Sequence, residues 1–235
     1  MEKINLNEYL ASNEYPGRGI AVAMAPDGRQ MFIGYFIMGR SENSRNRVFE
    51  ATEDGIRTRA YDESKMTDPS LIIYHPVRMV GRGVVVTNGD QTDTIRDYLL
   101  EGRTFAEALR TRCFEPDPPN YTPRISGLLS PDGSFKLSIL KSADGNPDCN
   151  LRHFYEYDAP LAGEGRFIHT YQENADPLPS FEGEPRRVAL TAPDARTLAD
   201  QLWASLNEEN KVSLYVCYRE LSTGETDTVI INKHV

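Results

Sequence analysis

Three polar clusters lie at the ends of apolar segments, and their residue types suit the binding of an anion. Residues 39–47 (GRSENSRNR) follow the apolar run at 31–38. Residues 87–93 (TNGDQTD) follow a valine run, and residues 120–125 (NYTPRI) lead into another apolar segment. Arginine guanidinium groups bind phosphates and carboxylates through paired hydrogen bonds. The clusters therefore predict an anion site if the strand ends that carry them lie together.

If these strand ends converge, one site holds the side chains of Arg40, Arg45, Asn46, Arg47, Asn88, Asp90, Asp93, Tyr121 and Arg124. Arginines and the N–H groups at a helix start hold phosphate, while amides and carboxylates bind hydroxyls or base edges. We therefore expect a polar, phosphorylated small molecule as ligand. Simpler alternatives stay open for two clusters: a solvated loop for GRSENSRNR, and a turn with a helix N-cap for NGDQTD.

A further candidate pair lies in residues 71–78 (LIIYHPVR). Alternation along an extended strand would put Tyr74, Pro76 and Arg78 on one face. A tyrosine and an arginine on one face can donate hydrogen bonds to an oxyanion that develops during a reaction. The alternative is a buried tyrosine whose hydroxyl is bonded within the core.

The composition excludes several classes of function. The net charge is −9, so the chain lacks the broad basic surface of a nucleic-acid-binding protein. The sequence has no P-loop, dinucleotide-binding, zinc-protease or serine-hydrolase motif. Its four histidines are scattered, and its three cysteines form no pair at the spacing of a metal or disulfide site. We therefore predict no metal and no cofactor.

The expected location is the cytoplasm. The N-terminus has no apolar signal-peptide region, and no stretch approaches the roughly 18 apolar residues of a membrane span. We expect no membrane partner. A sheet-rich chain of this size often buries a sheet edge, which makes a homo-oligomer a further expectation.

Apolar runs and turn signals predict the strands that position these clusters. Two hairpins share one plan, in which two apolar runs flank Pro-Asp-Gly: residues 19–25 with 30–38, and 124–129 with 134–141. The shared plan marks either two sheets of similar construction or a chance repeat of a common turn. Further strands are predicted at residues 48–51, 56–60, 71–80, 83–87, 151–157, 165–171, 186–190, 212–221 and 226–232.

Helices are predicted at residues 4–10, 92–100, 104–113 and 194–207. Thr104 and Glu107 match a capping box, and Asp194 is an expected N-cap. Many antiparallel strands with few helices predict an α+β chain in which sheets pack together and helices cover them.

The motifs GRSENSRNR, TNGDQTD and NYTPRI, in this order and at about this spacing, resemble those of the archaeal-type IMP cyclohydrolase family. The resemblance is strongest from Gly17 to about Leu129. It implies a single domain over residues 1–235 with an N-terminal-nucleophile-hydrolase-like fold, a four-layer α-β-β-α sandwich of antiparallel sheets. It also implies ring closure of 5-formamidoimidazole-4-carboxamide ribotide to IMP with loss of water, the last step of de novo purine biosynthesis, without metal or cofactor.

The resemblance also implies roles for individual residues. Tyr74 and Arg78 would polarise the formyl oxygen, and Asp90 and Asp93 would orient the substrate or relay protons. The residues that would bind the purine ribotide are Arg18, Arg40, Ser41, Arg45, Asn46, Arg47, Asn88, Tyr121 and Arg124. The resemblance assigns no general base.

Two other functions remain open at this point. A non-catalytic purine nucleotide-binding module would keep the arginines but would leave IMP unchanged. An amidohydrolase with an internal serine or cysteine nucleophile is the third possibility. Self-processing is not expected, because the chain begins Met1-Glu2 and the only Gly-Ser, Gly-Thr or Gly-Cys pair, Gly133-Ser134, lies in a turn.

Overall fold

The computed structural model describes residues 2–234, and within them it has fourteen strands and five α-helices. The strands are β1 (Ile4–Asn5), β2 (Arg18–Met24), β3 (Gln30–Met38), β4 (Arg47–Thr52), β5 (Gly55–Ala60), β6 (Val77–Val80), β7 (Gly83–Thr87), β8 (Arg124–Leu129), β9 (Phe135–Ala143), β10 (Asn146–Tyr157), β11 (Glu164–His169), β12 (Arg186–Ala189), β13 (Lys211–Glu220) and β14 (Thr226–Asn232). The helices are α1 (Leu6–Ser12), α2 (Glu42–Arg45), α3 (Gln91–Leu100), α4 (Phe105–Arg110) and α5 (Ala195–Ser205). A short 3₁₀ turn spans Glu63–Lys65.

The strands form two seven-stranded sheets. The first sheet has the order β1-β12-β11-β2-β3-β13-β14, and the second has the order β10-β9-β8-β7-β6-β5-β4. Every pair in the second sheet is antiparallel, and in the first sheet only the short β1 pairs in parallel, with β12. The α+β prediction is therefore confirmed as two sheets with few helices.

Three hydrophobic clusters set the order of the layers. The cluster between the sheets takes side chains from both of them, including Ile20, Ile33, Phe49, Val84, Ile125 and Leu137. A second cluster packs α1 and α5 on the outer face of the first sheet, and a third packs α3 and α4 on the outer face of the second. Strand β2 is buried along its whole length because apolar side chains cover both of its faces.

Local sequence signals explain several element boundaries. The Thr104–Glu107 capping box is present at the start of α4, and the Asp194 side chain accepts from the N–H of Thr197 at the start of α5. Both predicted Pro-Asp-Gly hairpins form, and they lie in different sheets. Within residues 2–234, no helix is long and apolar enough to cross a lipid bilayer.

Two predictions differ from the structure. Residues 4–5 form a strand beside β12 before α1 begins, because Asn5 caps the helix through the N–H groups of Asn7 and Glu8. The predicted strand 71–80 is a strand only from Val77, since residues 69–73 form a turn in which Ile72 and Ile73 donate to the Pro69 carbonyl. Tyr74 therefore precedes β6 rather than lying within it.

Candidate active site

Buried polar side chains gather at one end of the layer between the two sheets. Arg18 begins β2 and Arg47 begins β4, and each lies two residues before an apolar residue of the inter-sheet cluster, Ile20 or Phe49. Because side chains alternate along a strand, both arginines face the other sheet. We call the group around them the arginine–tyrosine cluster: Tyr15, Arg18, Tyr35, Arg47, Tyr74 and Tyr171.

Arg47 is the most unusual member of this cluster. Its side chain is 0% exposed, and its Nε donates to the Ser44 carbonyl at 2.8 Å. Among the described residues, neither terminal nitrogen has a hydrogen-bond partner. Burial lowers the pKa of Arg47, but a guanidinium keeps its charge in proteins. Two unpaired donors on a buried cation are costly unless an anion binds them.

Arg18 lies close to Arg47 and brings a second positive charge into the same region. It is 8% exposed, and no group within residues 2–234 forms a hydrogen bond with its Nε. Burial opposes its charge, but Tyr15, Tyr171 and Glu115 raise the pKa of Arg18 on balance. Two neighbouring guanidinium groups repel each other, so an anion between them would relieve both the repulsion and the missing hydrogen bonds.

Four tyrosines lie near the two arginines and contact one another in pairs. The hydroxyls of Tyr35 and Tyr74 are 2.9 Å apart, and both side chains are buried. Tyr15 and Tyr171 stack with ring centroids 5.9 Å apart. The guanidinium of Arg40 lies 5.4 Å from the centre of the Tyr15 ring.

Glu115 supplies a carboxyl group to the cluster. It is 2% exposed and lies in the loop between α4 and β8. Burial raises the pKa of Glu115 to about 7, although Arg18 and Arg124 act in the opposite direction. A carboxyl with a pKa near neutrality can both accept and return a proton at physiological pH.

Arg124 approaches Glu115 from the second sheet and is held by two side chains of the 88–93 turn. Its terminal nitrogen donates to Gln91 Oε1 at 2.6 Å and lies 2.8 Å from Asp90 Oδ1. Asp90 also pairs with Arg112, and the two arginines lower the pKa of Asp90 on balance despite its partial burial. A Cβ at Gly89 would lie 2.3 Å from the Arg124 nitrogen and 2.6 Å from Gln91 Oε1, so a larger residue there would displace this pair.

The structure gives the other residues of the 39–47 cluster mainly local contacts. Ser41 caps α2 by accepting from the N–H of Ser44. Arg45 donates to the Gly39 carbonyl and to Asn210, and Asn46 exchanges two hydrogen bonds with the backbone of Asp62.

Arg40 is exposed and donates to Asn174 and the Ala175 carbonyl, beside the Tyr15 ring.

The two remaining predicted binding residues also have local contacts. The amide of Asn88 joins the 88–93 turn to the start of β8, because it accepts from the N–H of Ile125 and donates to the Pro123 carbonyl. Tyr121 has a positive φ of 44° and packs its ring edge against Phe114. It lines a mostly apolar groove with Cys113, Pro116, Pro118 and Pro147.

The prediction that Tyr74 and Arg78 share a strand face is wrong. Val77 belongs to the inter-sheet cluster, so its neighbour Arg78 points toward the helices that cover the second sheet. There Arg78 pairs with Asp54 and Asp93. Tyr74 instead reaches Tyr35 between the sheets. The structure thus brings together Arg18, Arg47 and Tyr74, and it places Arg124 near Glu115. It pairs Arg78 with Asp93 away from them.

Four members of the site were not predicted: Tyr15, Tyr35, Glu115 and Tyr171. Tyr15 lies in the connection between α1 and β2, and Tyr171 follows β11 in an isolated bridge with Ser180. Tyr35 lies inside an apolar strand, where tyrosine is an ordinary core residue. The sequence signal for Glu115 is a single acid between Phe114 and a proline-rich loop. Only the packing of this loop against β2 and β8 buries that acid.

Comparisons with known proteins agree with the motif resemblance. A model of the family described as IMP cyclohydrolase-like protein matches residues 15–225, so the similarity continues well beyond Leu129. The IMP cyclohydrolase of Methanopyrus kandleri is 30% identical over 189 residues, which cover 72% of this chain and 89% of the relative. That of Methanosphaera stadtmanae is 27% identical over 186 residues, 77% of this chain and 81% of the relative. The IMP cyclohydrolase of Haloarcula marismortui is 28% identical over 218 residues, which cover 86% of this chain and 99% of the relative.

Proposed function

The chain belongs to the IMP cyclohydrolase-like protein family, and we propose that it is an IMP cyclohydrolase whose active site is the arginine–tyrosine cluster with Glu115 and Arg124. Its archaeal relatives carry the name IMP cyclohydrolase. The substrate would be 5-formamidoimidazole-4-carboxamide ribotide, and the products IMP and water.

One observation carries the placement of the site: Arg47 is completely buried, while both of its terminal nitrogens lack partners in the part of the chain that the structure describes. A buried guanidinium that leaves both terminal nitrogens without partners, beside a second guanidinium at Arg18, is unfavourable in the empty protein. It becomes favourable when an anion binds. The permanent anion of the ribotide is its phosphate, and we assign Arg18 and Arg47 to it.

The chemistry needs a proton acceptor and a hydrogen-bond donor. The carboxamide nitrogen attacks the formyl carbon of the same molecule, which forms the new N–C bond and places negative charge on the formyl oxygen. Tyr74 would donate to that oxygen. Glu115 would take one proton from the attacking nitrogen and return it to the oxygen, which gives a hydroxyl group. It would then move the proton of the formamido N–H to this hydroxyl as the C=N bond forms, so that the oxygen leaves as water.

The remaining residues position this machinery. Asp90 and Gln91 hold Arg124 beside Glu115, where it would bind the base or the ribose. Arg40 lies over Tyr15 at the rim of the cluster and would contact the substrate from outside. Ser41, Arg45, Asn46 and Asn88 support the loops that carry these groups.

The family also motivates proposals about the whole molecule. We propose that residues 1–235 form one N-terminal-nucleophile-hydrolase-like domain in the cytoplasm, which acts without a nucleic-acid or membrane partner. The two sheets between helical layers support this assignment. Self-association through a free sheet edge is part of the same proposal, and sedimentation measurements would test it.

The test is direct conversion of the ribotide. Purified protein is mixed with 5-formamidoimidazole-4-carboxamide ribotide, and IMP formation is followed by ultraviolet absorbance. We expect turnover by the wild-type protein and loss of turnover in Arg47→Gln. Arg29→Gln is the matched control, because Arg29 lies in an exposed turn and pairs only with Asp27 among the described residues.

Other outcomes would identify the competing functions. A wild-type protein that binds IMP through Arg47 but leaves the ribotide unchanged is a nucleotide-binding module. Hydrolysis of amide substrates that is abolished by substituting a serine or cysteine would indicate an amidohydrolase. Cys217 is the buried cysteine, and its substitution by serine should leave IMP formation intact.

A further inference from the structure

A chain of hydrogen bonds runs from an acid in the 115–122 loop to the arginine–tyrosine cluster. Asp117 Oδ1 accepts from the N–H of Thr122 at 2.7 Å, and Asp117 Oδ2 accepts from the Thr122 hydroxyl. The Thr122 oxygen is also 2.6 Å from the hydroxyl of Tyr171. Thr122 is 2% exposed and Tyr171 is 1% exposed, so water does not compete for these groups.

The number of available protons fixes the direction of this chain. An ionised carboxylate can only accept hydrogen bonds, so the single hydroxyl proton of Thr122 points to Asp117. The Thr122 oxygen must then accept from Tyr171. The Tyr171 hydroxyl therefore donates its proton to Thr122, and its oxygen can only accept hydrogen bonds from the rest of the cluster.

The position of Tyr171 is fixed from the other side by His169. Burial lowers the pKa of His169 to about 3, so the ring is neutral. Its Nδ1 is 2.7 Å from the Tyr171 carbonyl, which can only accept, and its Nε2 is 3.0 Å from the Tyr9 hydroxyl. Nδ1 therefore carries the proton, and Nε2 accepts from Tyr9.

The same loop also carries Glu115. The N–H of Glu115 donates to the Thr122 carbonyl at 2.9 Å, which closes the loop around Asp117. Tyr171 stacks on Tyr15 and lies beside Arg18. The lone pairs of Tyr171 thus lie beside Arg18 in the proposed anion site.

We propose that Asp117 is a positioning residue that holds the Tyr171 hydroxyl as a hydrogen-bond acceptor, and that this acceptor selects substrates with an N–H or O–H donor at that point. The inference rests on the proposed function for the identity of the substrate. In the ribotide the donor is an amide N–H or a ribose hydroxyl. Asp117 acts through Thr122 and Tyr171 and does not touch the substrate.

Asp117→Asn tests the direction of the chain without removing a heavy atom. The asparagine oxygen must face the N–H of Thr122, so its NH₂ group faces the Thr122 hydroxyl and donates to it. Thr122 then donates to Tyr171, whose proton turns toward the substrate. Asp132→Asn is the matched control, because Asp132 accepts from the N–H and hydroxyl of Ser134 in an exposed turn.

We expect Asp117→Asn to lower kcat/KM for IMP formation about tenfold or more, mainly through a higher KM, with near-ultraviolet circular dichroism unchanged. Thr122→Val should have the same effect, and Thr122→Ser should recover most of the loss. An Asp117→Asn protein with wild-type kcat/KM, or a Thr122→Ser protein as impaired as Thr122→Val, would overturn the proposal.

IMP affinity measured by calorimetry separates this inference from the proposed function. If the wild-type protein binds IMP without converting the ribotide, the proposed function fails. The ratio of wild-type to Asp117→Asn affinity for IMP then still tests the hydrogen bonds from Asp117 to Tyr171. Binding of 2′-deoxy- and 3′-deoxy-IMP distinguishes the two donors. If Asp117→Asn loses the preference for IMP over a deoxy form, the donor is a ribose hydroxyl, and an unchanged preference identifies the amide N–H.

Discussion

The hydroxyl of Tyr35 lies 2.9 Å from the hydroxyl of Tyr74, and this contact joins a central strand of the first sheet to the loop that precedes β6 in the second. Both tyrosines are buried, at 0% and 6% exposure. Burial raises the pKa of Tyr35, and the neighbouring Tyr74 adds to the shift. The Tyr35 hydroxyl therefore stays protonated, and its hydrogen bond with the Tyr74 hydroxyl holds the two side chains in place.

We expect Tyr35→Phe and Tyr74→Phe each to lower the free energy of unfolding by about 1 kcal/mol, because each leaves a buried hydroxyl unpaired. The double variant should lose little more than either single one, with a coupling energy of about 1 kcal/mol. Urea unfolding of the four proteins measures this cycle. Additive losses would mean that the hydroxyls do not bond to each other, and exposed Tyr61→Phe is the control.

Activity and stability should respond in different ways at Arg47. Arg47→Met should reduce IMP formation about 100-fold or more, since it removes the charge-assisted donors of the proposed site. Its free energy of unfolding should stay within about 1 kcal/mol of the wild-type value or rise, because a buried charge without a partner is removed. Parallel kinetic and urea measurements test this, and a loss of several kcal/mol would show that Arg47 is paired in the empty protein.

Glu115 should make stability depend on pH. Its pKa rises from 4.5 to about 7 on folding, so between these values the folded protein binds the proton and the unfolded chain does not. Stability should therefore fall as pH rises from about 4.5 to 7 and then level off, by up to about 3 kcal/mol. The difference between Glu115→Gln and the wild-type protein isolates this effect, and exposed Glu101→Gln should follow the wild-type curve.

The Glu115 carboxyl should also determine how kcat/KM depends on pH. If Glu115 accepts the proton from the attacking nitrogen, kcat/KM should fall as pH decreases through about 7. Glu115→Gln should be slow at every pH and should lack this inflection. A wild-type inflection that persists in Glu115→Gln would assign the proton transfer to another group.

Arg78 should matter for stability more than for turnover. It is paired with Asp54 and Asp93 on the side of the second sheet that faces the helices. Arg78→Ala should cost about 1 kcal/mol of unfolding free energy and leave kcat within about twofold. A large loss of kcat without a loss of stability would indicate that Arg78 has the catalytic role that the family resemblance implies.

The sequence patterns predict most of the sheets, because their turns and strands are encoded locally. Pro-Asp-Gly fixes the β2–β3 and β8–β9 hairpins, and valine-rich or alternating runs mark β7, β8 and β13. The failure at residues 71–76 has a physical cause. Apolar Ile72 and aromatic Tyr74 can be buried in a turn as well as in a strand. Here the Thr58 side chain forms hydrogen bonds with the backbone of both residues.

The site is less predictable than the sheets because burial is a property of the packed molecule. The motifs drew attention to Arg47 and Arg124, both members of the proposed site, since arginines at strand ends are chemically distinctive. The same patterns could not separate Arg45, which closes a loop, from Arg47 two positions later. Glu115 and Tyr171 become functional candidates only when the 115–122 loop and the end of β11 come together.

Arg18 begins a strand of the first sheet and Arg47 a strand of the second, so a ligand held by both connects the two sheets. Such a ligand binds only the fully assembled sandwich and shifts the folding equilibrium toward it. In a cell, proteases act on the opened form. The lifetime of this protein should therefore lengthen when its ligand is abundant and shorten when it is scarce, so that metabolite supply would set protein abundance without any change in transcription.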